Sequence, residues 1–229
     1  MRYLLWDFDN TLAHRPGLWS QCLADLANEM CVGKSVTREL LVPHLSTGFP
    51  WQSPERAHPL LSDPDEWWAA LRPTLLDAVI KGVGVCPTQA DLVVDRVRAE
   101  YTNPQHWHVY PDTRETLAEL SLAGWCHIVL SNHVPELPEL ISALGLGIHF
   151  EHVFTSAKIG FEKPHPAAFA AAVSALTPYR RIVMVGDSFV ADYQGAKSVG
   201  LEAILVRGKH PNCEIAFQDL RPLPNYLKE

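Results

Sequence analysis

The sequence predicts an α/β fold: an open parallel sheet flanked by helices and interrupted, after its first strand, by an all-helical insert. Three observations carry this. Five short apolar runs, at 2–6, 127–130, 152–155, 181–185 and 202–206, have the length and the β-branched or aromatic content of strands buried on both faces. Helical segments separate the last four, and strand alternating with helix implies right-handed crossovers between parallel neighbours. Between about Ala13 and Trp107 the spacing turns helical and the strand signal fades.

Along the chain, RYLLW (2–6) opens the sheet and runs straight into "DFDNT". The insert reads as four helical segments, LWSQCLADLANEM, SVTRELLVPHL, DPDEWWAALRPTLLDAVIKGV and TQADLVVDRVRAEY, with Pro73 expected to kink or split the third. A helix over 112–124 leads back to the strand HIVL (127–130). PELPELISALGLG, HVFT (152–155), HPAAFAAAVSAL, RIVMV (181–185), ADYQGAKSVG and EAILV (202–206) then alternate helix with strand, Gly200 closing the last helix.

Composition narrows the function classes. With 229 residues, 47% hydrophobic and 20% charged, the chain can bury a sizeable core. A formal net charge of −7 argues against a nucleic-acid binder, which needs a basic face. Neither a basic-then-apolar leader nor a run of about 18 uncharged apolar residues is visible, so a soluble protein with no membrane contact is expected. Cys22, Cys31, Cys86, Cys126 and Cys213 are odd in number and lack CxxC spacing, which fits reduced thiols in the cytoplasm. The 11 histidines show no metal-binding spacing such as HExxH.

Functional groups of a parallel sheet gather at the carboxyl ends of its strands. Three predicted strands end in the polar residues Asp7, Ser131 and Asp187, and Lys163 follows another on the loop SAKIGFEKPHP. Asp7, Asp9 and Asp187 in one cleft would repel one another unless a positive charge sat among them; a divalent cation and Lys163 are the candidates. Oxygen-only donors suggest a hard metal, and few carboxylates with waters completing the shell fit Mg²⁺ better than Ca²⁺. Such a site suits a phosphate. Asp7 and Asp9 stand at i and i+2 of an extended strand and face the same way. One carboxylate can attack phosphorus while the other hands a proton to the departing alkoxide. Thr11 can hold the turn by local hydrogen bonding. Singly, these residues have plainer readings: an Asx-type turn at DFDNT, helix caps at Ser131 and Asp187, a solvated lysine at 163. Their joint occurrence, in order and each after a strand, favours the chemical one.

With these residues in place, the chain resembles the haloacid dehalogenase-like hydrolase superfamily. The four motifs that carry the resemblance are DFDNT (Asp7, Asp9, Thr11), VLSN (Ser131, Asn132), GFEKPHP (Lys163) and VGDSFVAD (Asp187, Asp192). The resemblance implies a Rossmann-like three-layer α/β/α core with a parallel sheet, over residues 1–13 and 108–229, and an inserted α-helical cap over 14–107. It implies Asp7 as nucleophile and Asp9 as general acid and later base. Mg²⁺ is then held by the Asp7 carboxylate, the Asp9 main-chain carbonyl and Asp187, with Asp192 a supporting acid. Ser131 and Lys163 are expected to grip phosphoryl oxygens, with amides near Phe8 and Asn132 adding donors and Thr11 at the same site. The third motif reads KPHP where KPDP is common among relatives; His165 is expected to open the following helix. His133 is expected to make a loop or cap contact.

The family includes phosphatases, dehalogenases, phosphonatases and phosphomutases. A halide leaves without a proton whereas an alkoxide needs one, so Asp9 favours phosphate-ester chemistry over dehalogenation. The expected activity is hydrolysis of a small phosphorylated metabolite through an aspartyl-phosphate; a sugar-phosphate mutase and a non-catalytic binding relative are the alternatives. Specificity is expected in the cap, where His14, Arg15, Trp19 and the loop TGFPWQSPERAHP, with Trp51 and Arg56, are candidates. A monomer or a homodimer is expected.

Overall fold

The computed structural model describes every residue except Val32, Lys34, Pro59, Leu60, Thr177 and Glu229. Pro59, near the end of the candidate cap loop, thus lies outside the described residues. The chain opens with β1 (Arg2–Trp6), whose apolar run is buried from Tyr3 onward. A tight turn leads to the two-residue β2 (Ala13–His14), and the chain then enters the helical insert.

Helix α1 (Leu18–Met30) buries Trp19, Cys22, Leu23, Leu26 and Ala27, the i, i+3, i+4, i+7 stripe of an amphipathic helix. The segment expected as one second helix is shorter, α2 (Arg38–Leu41) followed by a 3₁₀ turn at Val42–His44, because Pro43 has no N–H to continue it. Helix α3 (Pro64–Val83) is one continuous α-helix, so Pro73 does not split it. Pro73 and Ala69 are both exposed, so water can serve the Ala69 carbonyl that Pro73 leaves without a donor. Burying Leu71, Leu75 and Val79 offsets the roughly 3 kcal/mol cost of an interior proline, at about 1.5–3 kcal/mol for each side chain. Asp63 caps α3 by accepting from the Asp65 and Glu66 amides, and Gly84, at φ 71°, ends it in the left-handed region. Helix α4 (Pro87–Tyr101) packs against α1 and α3, burying Val93, Val94 and Val97.

The chain returns through β3 (His108–Val109), antiparallel to β2, and the two form a small ribbon at the base of the insert. Beyond it come α5 (Thr113–Leu122), β4 (Trp125–Ser131), α6 (Leu137–Ala143), β5 (Phe150–Thr155) and the short α7 (Ser156–Ile159). Helix α8 (Pro166–Ser174) opens at His165, whose Nδ1 accepts from the Ala167 amide. Strand β6 (Arg181–Gly186) leads into a π-helical turn, Phe189–Gln194, where an ordinary helix was expected, and then α9 (Gly195–Ser198). Strands β7 (Glu202–Val206) and β8 (Ala216–Phe217) and the short α10 (Leu223–Tyr226) complete the chain.

The sheet order is β5-β4-β1-β6-β7-β8, with every neighbouring pair parallel. Both faces are covered. Leu4, Trp6, Val129, Val183, Val185, Ile204 and Val206 point into one core that continues into the insert. Tyr3, Leu5, Ile128, Leu130, Ile182, Met184, Ala203 and Leu205 point into the other. This alternation explains why the central strands read as unbroken apolar runs. The fold is therefore a Rossmann-like α/β/α core with an all-helical insert after the first strand. Among the described residues no helix is long and apolar enough to cross a membrane.

Candidate active site

The site forms at the carboxyl ends of β1, β4 and β6, where the sheet order makes three distant segments neighbours. Asp7 continues β1, its amide donating to the Val185 carbonyl at 2.9 Å. The chain then turns sharply: the Phe8 carbonyl accepts from the amides of Thr11, Leu12 and Ala13, and Asn10 takes φ 56°, a conformation asparagine tolerates better than most residues. Asp9 and Asn10 face the cavity, while Thr11 is buried and donates from Oγ1 to Asp7 Oδ2 at 3.2 Å.

Ser131, at the end of β4, donates to Asp7 Oδ1 at 2.9 Å. Lys163 comes from the loop after α7; its Nζ donates to the same oxygen at 2.9 Å and to Asp192 Oδ1 at 2.6 Å. Burial alone would lower the Lys163 pKa, but Asp192 and Asp7 outweigh it and hold the ammonium above its ordinary value. Asn132 borders the cavity, yet its side chain is spent on the backbone of Lys163: Nδ2 donates to the Lys163 carbonyl at 2.8 Å and Oδ1 accepts from its amide at 2.7 Å. Through these two bonds it fixes the lysine loop beside the cavity.

Asp187 follows β6, and Asp192 sits on the π-helical turn, its Oδ2 accepting from the Ser188 amide at 3.0 Å. Gly186 makes this approach possible, since a Cβ there would lie 2.2 Å from Asp192 Oδ2. Asp7, Asp187 and Asp192 each bring a carboxylate oxygen within 4.8 Å of the others. Burial, then the charges of Asp7 and Asp192, raise the Asp187 pKa. Both Asp192 oxygens have donors, whereas among the described residues the Asp187 carboxylate has only one side-chain contact, a long one at 3.5 Å from Thr11 Oγ1. The cluster thus carries more negative charge than one lysine balances, and its oxygen-only donors could hold a hard cation. Asp9 is raised well above the ordinary carboxylate value by burial first, then by Asp7 and Asp187. A carboxyl so placed holds its proton at pH values where an exposed aspartate has lost it.

These groups open into a cavity of about 440 Å³ whose insert-facing wall includes Leu18, Trp19, Trp51, Pro54 and Tyr101. Of the specificity candidates, Trp19 and Trp51 line this cavity. Arg15 and Arg56 do not line it. Arg15 is buried behind Tyr101, its guanidinium 5.7 Å from the ring centre, and pairs with Glu100 at 3.3 Å. Arg56 is solvated beside Glu55 and borders a separate cavity. His14 packs between His108 and Tyr110.

Four features escaped sequence reasoning. Gly186 is the first. His133 was expected in a loop or cap contact, but it borders the cavity with Nε2 3.5 Å from Asp9 Oδ1. Arg207 donates to the Thr11 carbonyl at 3.1 and 3.2 Å, and its paired bonds to Asp112 at 2.7 and 2.8 Å pin that guanidinium. Glu136 ties the insert to the core, accepting from Trp68 Nε1 at 3.1 Å and Arg98 Nε at 2.7 Å. The sole sequence-level signals were a histidine after Ser131-Asn132 and a glycine before Asp187; the partners of Arg207 and Glu136 are set by tertiary structure.

Comparison with known proteins agrees with this geometry. The family profile of the haloacid dehalogenase-like hydrolases matches residues 1–200. The mouse haloacid dehalogenase-like hydrolase domain-containing protein 3 is 32% identical over 136 residues, 59% of this chain and 54% of that protein. A phosphoserine phosphatase of Thermus thermophilus is 30% identical over 158 residues, 68% of this chain and 62% of that protein. These matches thus span little more than half to under two thirds of the curated relatives' own lengths. Among solved structures, the magnesium-bound HAD-hydrolase YfnB of Bacillus subtilis superposes with a TM-score of 0.72 at 17% identity, covering 100% of this chain and 99% of that one, a likeness of fold. The residues at the carboxyl edge of the sheet, the helical insert after β1 and the family match together show that this chain belongs to the haloacid dehalogenase-like hydrolases.

Proposed function

We propose that this protein is a Mg²⁺-dependent phosphatase that hydrolyses a small phosphomonoester through an aspartyl-phosphate on Asp7. The observation that carries the reading is the contrast between two carboxyls two residues apart. Asp7 is fixed by Lys163, Ser131 and Thr11. Asp9 has a free, buried Oδ1 and a strongly raised pKa. One is built to stay in place as a nucleophile, and the other to carry a proton.

In the first step an Asp7 oxygen attacks phosphorus, the bond to the ester oxygen breaks, and Asp9 gives its proton to that oxygen. In the second, Asp9, now ionised, takes a proton from water as the water attacks the phosphoryl group and releases Asp7. Lys163 and Ser131 meet the phosphoryl oxygens while holding Asp7. Asp7 and Asp187, with the main-chain carbonyl of Asp9, would hold Mg²⁺. When bound, the ion offsets the negative charge of the phosphoryl oxygens. Trp19, Trp51 and Tyr101 close the cavity from the insert side and limit the water that reaches the intermediate.

The phosphatase name of the Thermus thermophilus relative and the magnesium of the Bacillus subtilis structure support this reading. A cavity of about 440 Å³ suits a small phosphorylated metabolite as substrate. A cytoplasmic enzyme, monomeric or homodimeric, belongs to the same proposal. Hydrolysis of p-nitrophenyl phosphate by Asp7→Asn tests it: the rate should fall at least about 10³-fold, and parent-like turnover would sink the nucleophile assignment. A panel of phosphoserine, phosphoglycolate, sugar phosphates and nucleotides then identifies the substrate.

A further inference from the structure

His133 stands out among the buried polar groups that this mechanism does not use. Its side chain keeps 1% of its surface, and among the described residues neither ring nitrogen makes a well-formed hydrogen bond, the neighbouring Val134 main chain being the one polar group that favours its protonated form by hydrogen bonding. Its ring is boxed by Phe8, Trp107 and Tyr101, with centroids at 5.7, 5.3 and 6.1 Å, the first edge-on at 83°. The backbone is anchored as well: the His133 amide donates to Ser156 Oγ at 3.2 Å, and its carbonyl accepts from Thr155 Oγ1. A ring held this firmly, with Nε2 making no hydrogen bond among the described residues, is poised for a partner that arrives later.

The candidate partner is in view. Asp9 Oδ1 is also buried without a hydrogen bond, and it lies 3.5 Å from His133 Nε2. The Asp9 side chain as a whole keeps 23% of its surface, so its exposure to the cavity comes from atoms other than Oδ1. The pair is just beyond hydrogen-bond length, and such contacts in unliganded sites often shorten when substrate binds.

We propose that His133 is a positioning residue for Asp9, donating from Nε2 to Asp9 Oδ1 so that the transferable proton resides on Oδ2, facing the ester oxygen of the substrate. The proposal rests on the phosphatase reading above. A carboxylic acid has two oxygens and one proton, and a donor fixed on Oδ1 decides which oxygen carries it. During the first step the proton moves from Asp9 Oδ2 to the leaving oxygen as the phosphorus–oxygen bond breaks. The His133 proton stays on Nε2, where it stabilises the carboxylate left behind.

The test is the dependence of the phosphorylation step on leaving group. The burst of phenol release is measured with 2,4-dinitrophenyl phosphate, whose leaving group needs no proton, and with phenyl phosphate, whose leaving group does. His133→Phe fills the aromatic box without a donor, and His133→Asn restores an N–H. His133→Phe should slow the phenyl phosphate burst by about tenfold or more and the dinitrophenyl burst by under about twofold, with part of the loss recovered in His133→Asn. In an Asp9→Asn background, His133→Phe should add nothing further. Equal slowing of both bursts, or no slowing of either, would overturn the positioning role. If Asp9→Asn itself slowed both bursts equally, the proton-donor reading of Asp9 would fall instead.

Discussion

The Lys163 ammonium stands 2.9 Å from Asp7 Oδ1 across 156 residues of sequence, and the same nitrogen reaches Asp192 at 2.6 Å. Both ion pairs are buried, so their worth lies in what their loss would leave behind. Lys163→Met strands two carboxylates in the core, and breaking a buried pair in this way costs about 3–5 kcal/mol. Urea unfolding should show that loss, and activity should fall at least about 10²-fold. A variant as stable as the parent would mean that the lysine balances no buried charge.

Asp187 gives a metal prediction with a definite sign. Its raised pKa means that the folded state resists its charge at neutral pH, so the ionised group destabilises the metal-free protein. In EDTA, Asp187→Asn should therefore melt higher than the parent. Added Mg²⁺ should raise the parent's Tm, by about 2.7 kcal/mol of stability at a hundredfold excess over Kd, and leave the variant's unchanged. A variant that kept the full Mg²⁺ shift would remove Asp187 from the metal site.

His127 predicts an acid-sensitive fold. Trp6 Nε1 donates to its Nδ1 at 2.9 Å, and its Nε2 lies 3.1 Å from the Leu117 carbonyl, so the buried ring is neutral with its proton on Nε2. Burial pushes its pKa down to about 4. The unfolded chain takes up the proton near pH 6.5, so this contribution is complete above that pH and is lost as the pH falls towards 4, at about 1.4 kcal/mol per unit. Urea unfolding at pH 7 and pH 5 should show a smaller drop for His127→Gln than for the parent. Equal drops would show that the imidazole is not the source.

Glu136 predicts how firmly the insert closes. Its carboxylate accepts from Trp68 and Arg98, and the pair with Arg98 is partly exposed. Glu136→Ala should weaken closure by about 1–2 kcal/mol, discounted for solvent screening. KM should then rise about fivefold or more, with a larger radius of gyration in small-angle scattering. An unchanged KM and an unchanged radius would show that these bonds do not hold the insert down.

The sheet was legible because β1, β4, β6 and β7 are covered on both faces, which leaves unbroken apolar runs that end at the functional edge. Asp7, Ser131 and Asp187 could be picked out because each ends or follows such a run, and Lys163 because its loop follows the strand at 152–155. The ribbon of β2 and β3 could not, since two residues carry no periodicity and the pairing of Ala13 with Val109 exists only in the folded chain. Pro73 does not split its helix as a local reading of proline allows, because the packing of Leu71 and Leu75 carries the helix through it. Arg15 misled for a similar reason: an arginine beside a motif suggests an anion site, and here it is buried against Tyr101 and Glu100.

The most direct measurement of the central claim is to trap the covalent intermediate. The enzyme is mixed with excess p-nitrophenyl phosphate and Mg²⁺, quenched in acid within milliseconds, digested and analysed by mass spectrometry. The account predicts a hydroxylamine-labile phosphoryl group on the peptide bearing Asp7, absent in Asp7→Asn and longer-lived in Asp9→Asn once formed. A parent enzyme that turns over substrate with no phosphoryl group on Asp7 at any quench time would contradict it.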